Sequence, residues 1–264
     1  MDSKWRLIDS GPCEAFYNMA LDEAIATEVR RGTAPLTLRL YGWDRASVTL
    51  GCFQKVSDIN IEFCRSRNIP VVRRPTGGRA ILHGDEMTYS FSAKTDRGPF
   101  SHGLLDSYRR ISAAFSMAFK KIGITAEAKN TREKGRVLSR SPLCFQSSSY
   151  GELMVENMKL VGSAQKRWHN GLLQQGSIPY LSEEELLQGI FGAEKTASLW
   201  GCMKALKDCL PLFDEDEFIK AIVLSFEEAF DVRLVPSAPY QKESLFAQEL
   251  LSQKYLQTRW NSLP

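Results

Sequence analysis

Residues 14–31, EAFYNMALDEAIATEVRR, place Phe16, Met19, Ala20, Ala24, Ile25 and Val29 at helical spacing, and Gly32 follows as a stop. That pattern predicts a helix with one apolar face. TLRLYGW (37–43) and SVTLGCF (47–53) alternate or run apolar as strands do, with Asp44-Arg45 between them. SDINIEFCRSRN (57–68) opens on a serine suited to an N-cap and reads as a short helix. IPVVRRP (69–75) predicts a strand, Pro75 to Gly78 a turn, and RAILHGDEMTYSF (79–91) further strand. LLDSYRRISAAFSMAFKKIGI (104–124) predicts a strongly amphipathic helix that ends at Gly123. Residues 126–143 are basic and irregular, and 149–181 read as three strands with a turn at Asn157-Met158 and a loop at His169-Asn170-Gly171. Residues 182–190, 214–230 and 243–256 predict helices. No repeat or Pro/Ser-rich linker interrupts the chain, so the expectation is one α/β (α+β) domain over 1–264 with a mixed, largely antiparallel sheet flanked by helices.

Composition changes this picture little. Hydrophobic residues make up 43% and charged residues 25% of 264, ordinary for a globular chain. The net charge of +3, from 34 basic and 31 acidic residues, gives no case for nucleic acid. The start, MDSKWRLIDSGPCEAFYNMA, lacks a basic segment followed by an apolar run, and no stretch approaches the ~18 apolar residues of a membrane span. Cys13, Cys52, Cys64, Cys144, Cys202 and Cys209 are scattered with no C-x-x-C pair. Free thiols are therefore expected, rather than disulfides or zinc, in a soluble cytoplasmic protein without a membrane anchor.

Three stretches carry candidate chemistry. In RRPTGGRAILH (73–83), Gly77-Gly78 lets backbone approach a ligand closely, and Arg73, Arg74 and Arg79 suit a carboxylate, phosphate or carbonyl oxygen. A hairpin turn with solvated arginines is the alternative, and the pattern alone does not choose between them. The spacing excludes the usual nucleotide-binding loops. Lys159, followed by LVGSAQ, is placed either to polarise a carbonyl in a pocket or to sit solvated on a hairpin. Cys144 lies in RSPLCFQSSSYGE, downstream of Arg132, Lys134, Arg136 and Arg140. Nearby positive charge would favour a thiolate, with Lys159 or His83 as partner, while a buried inert thiol is the commoner fate of a cysteine. The basic strip KNTREKGRVLSR (129–140) reads as a solvated loop or as a docking strip for an acidic protein.

Together these stretches resemble the lipoate–protein ligase and octanoyltransferase superfamily. RRPTGGRAILH is similar to its R-R-x-[ST]-G-G-[GR]-A-V-x-H motif and KLVGSAQ to its K-[IVL]-x-G-S-[AS] motif. LRLYGWDRASVTLGCFQ resembles the strand pair upstream and LLQQGSIPY the strand after the lysine, so the matches run in order over roughly residues 5–181. The ATP-using ligases of this group continue as H-D-x-G-N, whereas this chain has Arg79 for the third glycine and HGDEMTYS after the loop. That departure is similar to the octanoyltransferases of the LipM type, whose catalytic cysteine precedes Phe in a serine-rich loop; Cys144-Phe145 aligns with it, although Gly151 separates Tyr150 from Glu152.

The resemblance implies a biotin protein ligase-like catalytic domain, with the motifs in 5–181 and a mostly helical segment over 182–264. It implies an acyltransferase of lipoate biosynthesis, which moves octanoyl from acyl carrier protein to a lysine of a lipoyl domain, such as glycine cleavage H protein, through a Cys144 thioester intermediate. The donor thioester is already activated, so no cofactor and no ATP are expected. Lys159 would stabilise the thiolate and oxyanion, or take a proton from the incoming amine. Arg73, Arg74, Thr76, Gly77, Gly78, Arg79, Ala80 and His83, with Gly162, Ser163 and Ala164, would line the substrate site, His83 by orienting the loop. An ATP-dependent lipoate ligase, an octanoyl amidotransferase between lipoyl domains and a non-catalytic scaffold are the alternatives. Cys144, Lys159 and the Gly-Gly pair together argue against the scaffold.

Overall fold

A computed structural model describes residues 3–129, 151–197, 199 and 201–262. The first element, β1 (Ser3–Cys13), was not evident from the hydrophobic pattern. Its Arg6 looks like a surface residue but is buried, donating from both terminal nitrogens to Glu243 at 2.8 and 2.5 Å. An arginine enters a core only with a partner, and this one lies 237 residues away. Helix α1 (Ala15–Arg31) follows the expected periodicity and ends at Gly32, whose φ of +75° supplies the left-handed cap.

The strands β2 (Thr37–Trp43), β6 (Glu86–Lys94), β10 (Gly162–Trp168), β11 (Gly171–Pro179) and β12 (Val232–Pro236) join β1 in a six-stranded sheet of order β10-β11-β6-β2-β1-β12. Its β10/β11, β11/β6 and β6/β2 pairs are antiparallel and its β2/β1 and β1/β12 pairs parallel, so the sheet is mixed as expected. Both faces are covered. Leu38, Leu40, Tyr89 and Phe91 pack on one side with Phe115 and Phe119 of α3 (Leu104–Lys121) and Phe218 and Phe226 of α7 (Glu215–Phe230). Tyr41, Trp43 and Ile8 pack on the other with α1 and with Ala247 of α8 (Gln241–Leu250). Two covered faces explain why β2 is buried almost throughout, and why its Arg39 must pair with buried Asp22 at 2.7 Å.

A three-stranded sheet of β4 (Val71–Arg73), β3 (Ser47–Leu50) and β5 (Ile81–His83) stands beside the first. Helix α2 (Ile61–Ser66) starts at Asn60, not at the serine expected; the Asn60 side chain caps Phe63 N–H, and residues 56–58 form a separate 3-10 turn. The third sheet holds β7 (Glu127–Ala128), β8 (Leu153–Val155) and β9 (Met158–Lys159). The β8–β9 turn is Glu156-Asn157, one residue earlier than expected, because both take positive φ (52° and 65°), as a tight two-residue hairpin turn demands. Residues 153–179 therefore form four strands, not three. Helices α4 (Glu184–Phe191), α5 (Ala193–Ala197), α6 (Leu206–Cys209) and α9 (Thr258–Asn261), with a π-helical segment (Leu251–Tyr255) that continues α8, complete the described elements. Among the described residues no helix is long and apolar enough to cross a membrane. The five described cysteines are free thiols, and no group of three or more metal-ligating side chains occurs among those residues.

Candidate active site

Between the large and the small sheet lies a narrow cleft with a cavity volume of about 20 Å³. Met19, Tyr41, Trp43, Ile81 and Ala164 give it apolar walls, and Thr49, Arg74, His83, Thr88, Gln175 and Ser177 place polar atoms at its edges. An apolar chain with one polar end is the ligand shape this division suits.

The loop after β4 closes one side of the cleft, and Arg74 shapes it from within. Its Nη2 donates to the carbonyls of Gly77 and Arg79, each at 2.7 Å, and its Nη1 to Thr49 Oγ1 at 3.0 Å. Thr76 Oγ1 donates to Gln175 Oε1 at 2.8 Å, tying the loop to the large sheet. Gly78 has φ +88° and is squeezed: a Cβ there would lie 2.8 Å from Arg74 Nη2. A Cβ on Gly51 would come within 1.9 Å of the Gly78 carbonyl oxygen, so the two chain segments touch only because glycine stands at 51. Gly77 and Arg79 are half-buried on the loop, and Gly78 exposes its backbone.

Beneath the loop runs a buried polar relay. His83 Nδ1 donates to Glu86 Oε1 at 2.8 Å, Nε2 stands 2.8 Å from Thr49 Oγ1, and Trp43 stacks on the ring at 4.0 Å. Glu86 also accepts from Trp43 Nε1 at 3.2 Å, from Ser177 Oγ at 2.7 Å and from Thr88. Four strands bordering the cleft, those carrying Trp43, His83, Thr88 and Ser177, thus send a donor to one carboxylate. Asp22 does the same on the far side, accepting from Arg39 at 2.7 Å, Tyr41 at 2.8 Å, Ser90 at 2.7 Å and Gln175 at 2.7 Å. Burial pushes the Tyr41 phenol well above its ordinary pKa, and Asp22 beside it adds to the effect.

Lys159 is 1% exposed, and its Nζ donates to Glu152 Oε1 at 2.6 Å; the solvated-hairpin alternative is excluded. Its backbone is fixed from both sides, N–H to Cys202 O at 2.7 Å and C=O to Lys204 N–H at 3.0 Å. Three residues further, Gly162 opens β10, whose Ser163 hydroxyl lies 2.8 Å from the buried Tyr89 hydroxyl. Burial holds the Tyr89 phenol protonated, with a pKa pushed up to about 12.

The structure therefore brings Arg74, His83 and Ala164 into one cleft wall, with Thr76, Gly77 and Gly78 behind Arg74 and Ala80 buried alongside. Arg73 goes elsewhere. Its guanidinium donates to the carbonyls of Gly51, Gln54, Trp260 and Asn261, so it ties the 51–54 loop and the C-terminal turn together and is not among the cleft-lining residues. Cys144 and most of the basic strip, 130–140, lie outside the described residues. Glu86, Asp22, Gln175 and Glu152 were not singled out by sequence reasoning. For Glu86 and Glu152 a signal existed, since Glu86 stands inside the quoted stretch HGDEMTYS and Glu152 ends RSPLCFQSSSYGE.

The fold and this cleft define a lipoate–protein ligase type of catalytic domain. Lipoate-protein ligase A bound with ATP superposes with a TM-score of 0.83 at 20% identity, covering 99% of each chain. A bi-partite lipoate protein ligase of Thermoplasma acidophilum gives 0.82 at 19%, covering 98% of this chain and 96% of that one. A family model for the lipoyl protein ligase A/B catalytic domain matches residues 14–227, and the chain belongs to that family. Among its relatives, octanoyltransferase LipM of Geobacillus kaustophilus is 34% identical over 270 residues, covering 97% of both chains. The LipM of an Exiguobacterium species is likewise 34% identical, over 268 residues and 97% of both chains.

Proposed function

We propose that this protein is a cysteine-dependent octanoyltransferase, taking octanoyl from the thioester of acyl carrier protein to a lysine of a lipoyl domain such as glycine cleavage H protein. The observation that carries this reading is the near-complete coverage, 97% of both chains, by relatives named as LipM octanoyltransferases. The cleft supports it chemically, since its apolar walls suit a saturated chain and its polar edge suits a carbonyl.

The Cys144 thiolate attacks the donor carbonyl, giving a tetrahedral oxyanion that collapses with release of the carrier thiol. One thioester replaces another, so this step is close to balanced. The acceptor amine then attacks the Cys144 acyl-enzyme, an amide forms, a proton leaves the nitrogen and the thiol is regenerated. Lys159, held by Glu152, supplies positive charge for the thiolate and for both oxyanions, a contribution on the order of 3 kcal/mol for a well-placed donor. The 74–80 loop packs over the acyl chain. Neither step consumes ATP.

Intact-protein mass spectrometry after mixing with octanoyl-acyl carrier protein, without ATP, tests the reading. A gain of one octanoyl group is expected, absent in Cys144→Ala and discharged by a lipoyl domain, with the fold of the variant intact. Acceptor modification that appears only with ATP and free acid, or full activity in Cys144→Ala, overturns it.

A further inference from the structure

Phe53 is 91% exposed, yet the loop that carries it is tied down on several sides. The buried Arg73 donates from Nη1 to Gly51 O at 2.8 Å and Gln54 O at 2.6 Å. Cys52 N–H donates to Thr76 O at 2.9 Å and Gln54 N–H to Gly51 O at 3.0 Å. Gly51 rests directly against Gly78, which in turn faces Ala164 in the cleft wall. An aromatic ring thus stands out into solvent two residues from Gly51, which packs on the loop that borders the cleft. Scattered exposed apolar side chains are ordinary. A fully buried arginine spent on fixing the base of one is not, and a ring on a pre-set loop loses little freedom when a partner covers it.

We propose that Phe53 is the contact on which the acceptor protein, a lipoyl domain presenting its lysine, seats during transfer. The inference rests on the transferase reading above, and the choice between the two protein substrates follows from reach. The donor's acyl group rides on a long prosthetic arm, so the carrier's body need not touch the rim of the cleft. The acceptor's amine stands on a four-carbon lysine stem, so its body must come down onto the rim before the amine reaches a carbonyl held inside. Phe53 stands beside the loop that borders the cleft, through Gly51 packed on Gly78, and Lys55, exposed two residues on, adds a positive charge able to steer an acidic surface toward it.

The test compares wild type with Phe53→Ala and Phe53→Tyr in the full chain. Titration with a lipoyl domain bearing an unmodified lysine should show affinity weakened roughly tenfold in Phe53→Ala and largely restored in Phe53→Tyr, a loss of hot-spot size. The same variants should form acyl-enzyme from octanoyl-acyl carrier protein at the wild-type rate and discharge it to hydroxylamine normally, with only discharge to the lipoyl domain slowed. Unchanged lipoyl-domain affinity in Phe53→Ala overturns the proposal, and so does a variant slowed instead in its reaction with acyl carrier protein. Because the titration needs no chemistry, it reads the docking contact even if no acyl-enzyme forms in the wild type, an outcome that counts against the transferase reading alone.

Discussion

Replacing Glu152 by glutamine keeps the shape of the side chain and removes its charge. In the native protein that carboxylate lies 2.6 Å from Lys159 Nζ, with the two side chains 3% and 1% exposed. Breaking a buried pair from one side costs about 3–5 kcal/mol, because the remaining ion stays in a medium that solvates it poorly. The amide still offers Lys159 an acceptor oxygen, which places the loss near the lower end, about 3 kcal/mol. At this chain length each kcal/mol moves the thermal midpoint by about 2–4 °C, so Glu152→Gln should unfold about 6–12 °C below wild type. Lys159→Met should be similarly costly by itself. The double variant should be less destabilised than the sum of the two, since no ion is left behind in the core. Scanning calorimetry of the four proteins measures the coupling, and single-turnover acyl transfer reports whether Lys159 has lost its place. A midpoint within about 2 °C of wild type in Glu152→Gln, with strict additivity in the double variant, would refute the claim that this pair is a mutually dependent buried unit.

Glycine at 51 is required by contact and glycine at 77 is not. Gly51→Ala, which drives a Cβ to 1.9 Å from the Gly78 carbonyl, should cost about 1–3 kcal/mol by overpacking and raise KM for the acyl donor. Gly77→Ala, with nothing within 4 Å, should stay within about 0.5 kcal/mol of wild type, and urea titration together with steady-state kinetics checks both. The fully buried Tyr89 phenol, raised from 10.0 to about 12 by burial, contributes stability that is complete below pH 10 and lost as pH rises from 10 toward 12. Two pKa units correspond to about 3 kcal/mol, and Tyr89→Phe should flatten the decline of the urea midpoint over that window.

Sequence pattern and tertiary structure contributed different things to this picture. Periodicity alone identified α1 and α3, because their apolar positions recur every three or four residues and Gly32 and Gly123 follow them. Alternation and apolar runs likewise marked β2, β6 and β11, and the stretch around Gly77-Gly78 marked a turn that suits a ligand loop and a plain hairpin alike. These are local properties, carried by neighbours a few residues apart. The strand β1 escaped because Arg6 interrupts its pattern, and its partner Glu243 belongs to the other end of the chain. Arg73 and Arg74 are adjacent in sequence and look alike there. Only the fold sends Arg74 to the loop carbonyls at the cleft and Arg73 to Gly51, Gln54 and the C-terminal turn. By sequence Lys159 reads more readily as solvated, and it is the Glu152 carboxylate beside it that accompanies its burial. Burial of a charge is decided by whether a counter-charge and hydrogen-bond partners arrive with it, and those are delivered by the long-range path of the chain, which local spacing does not record.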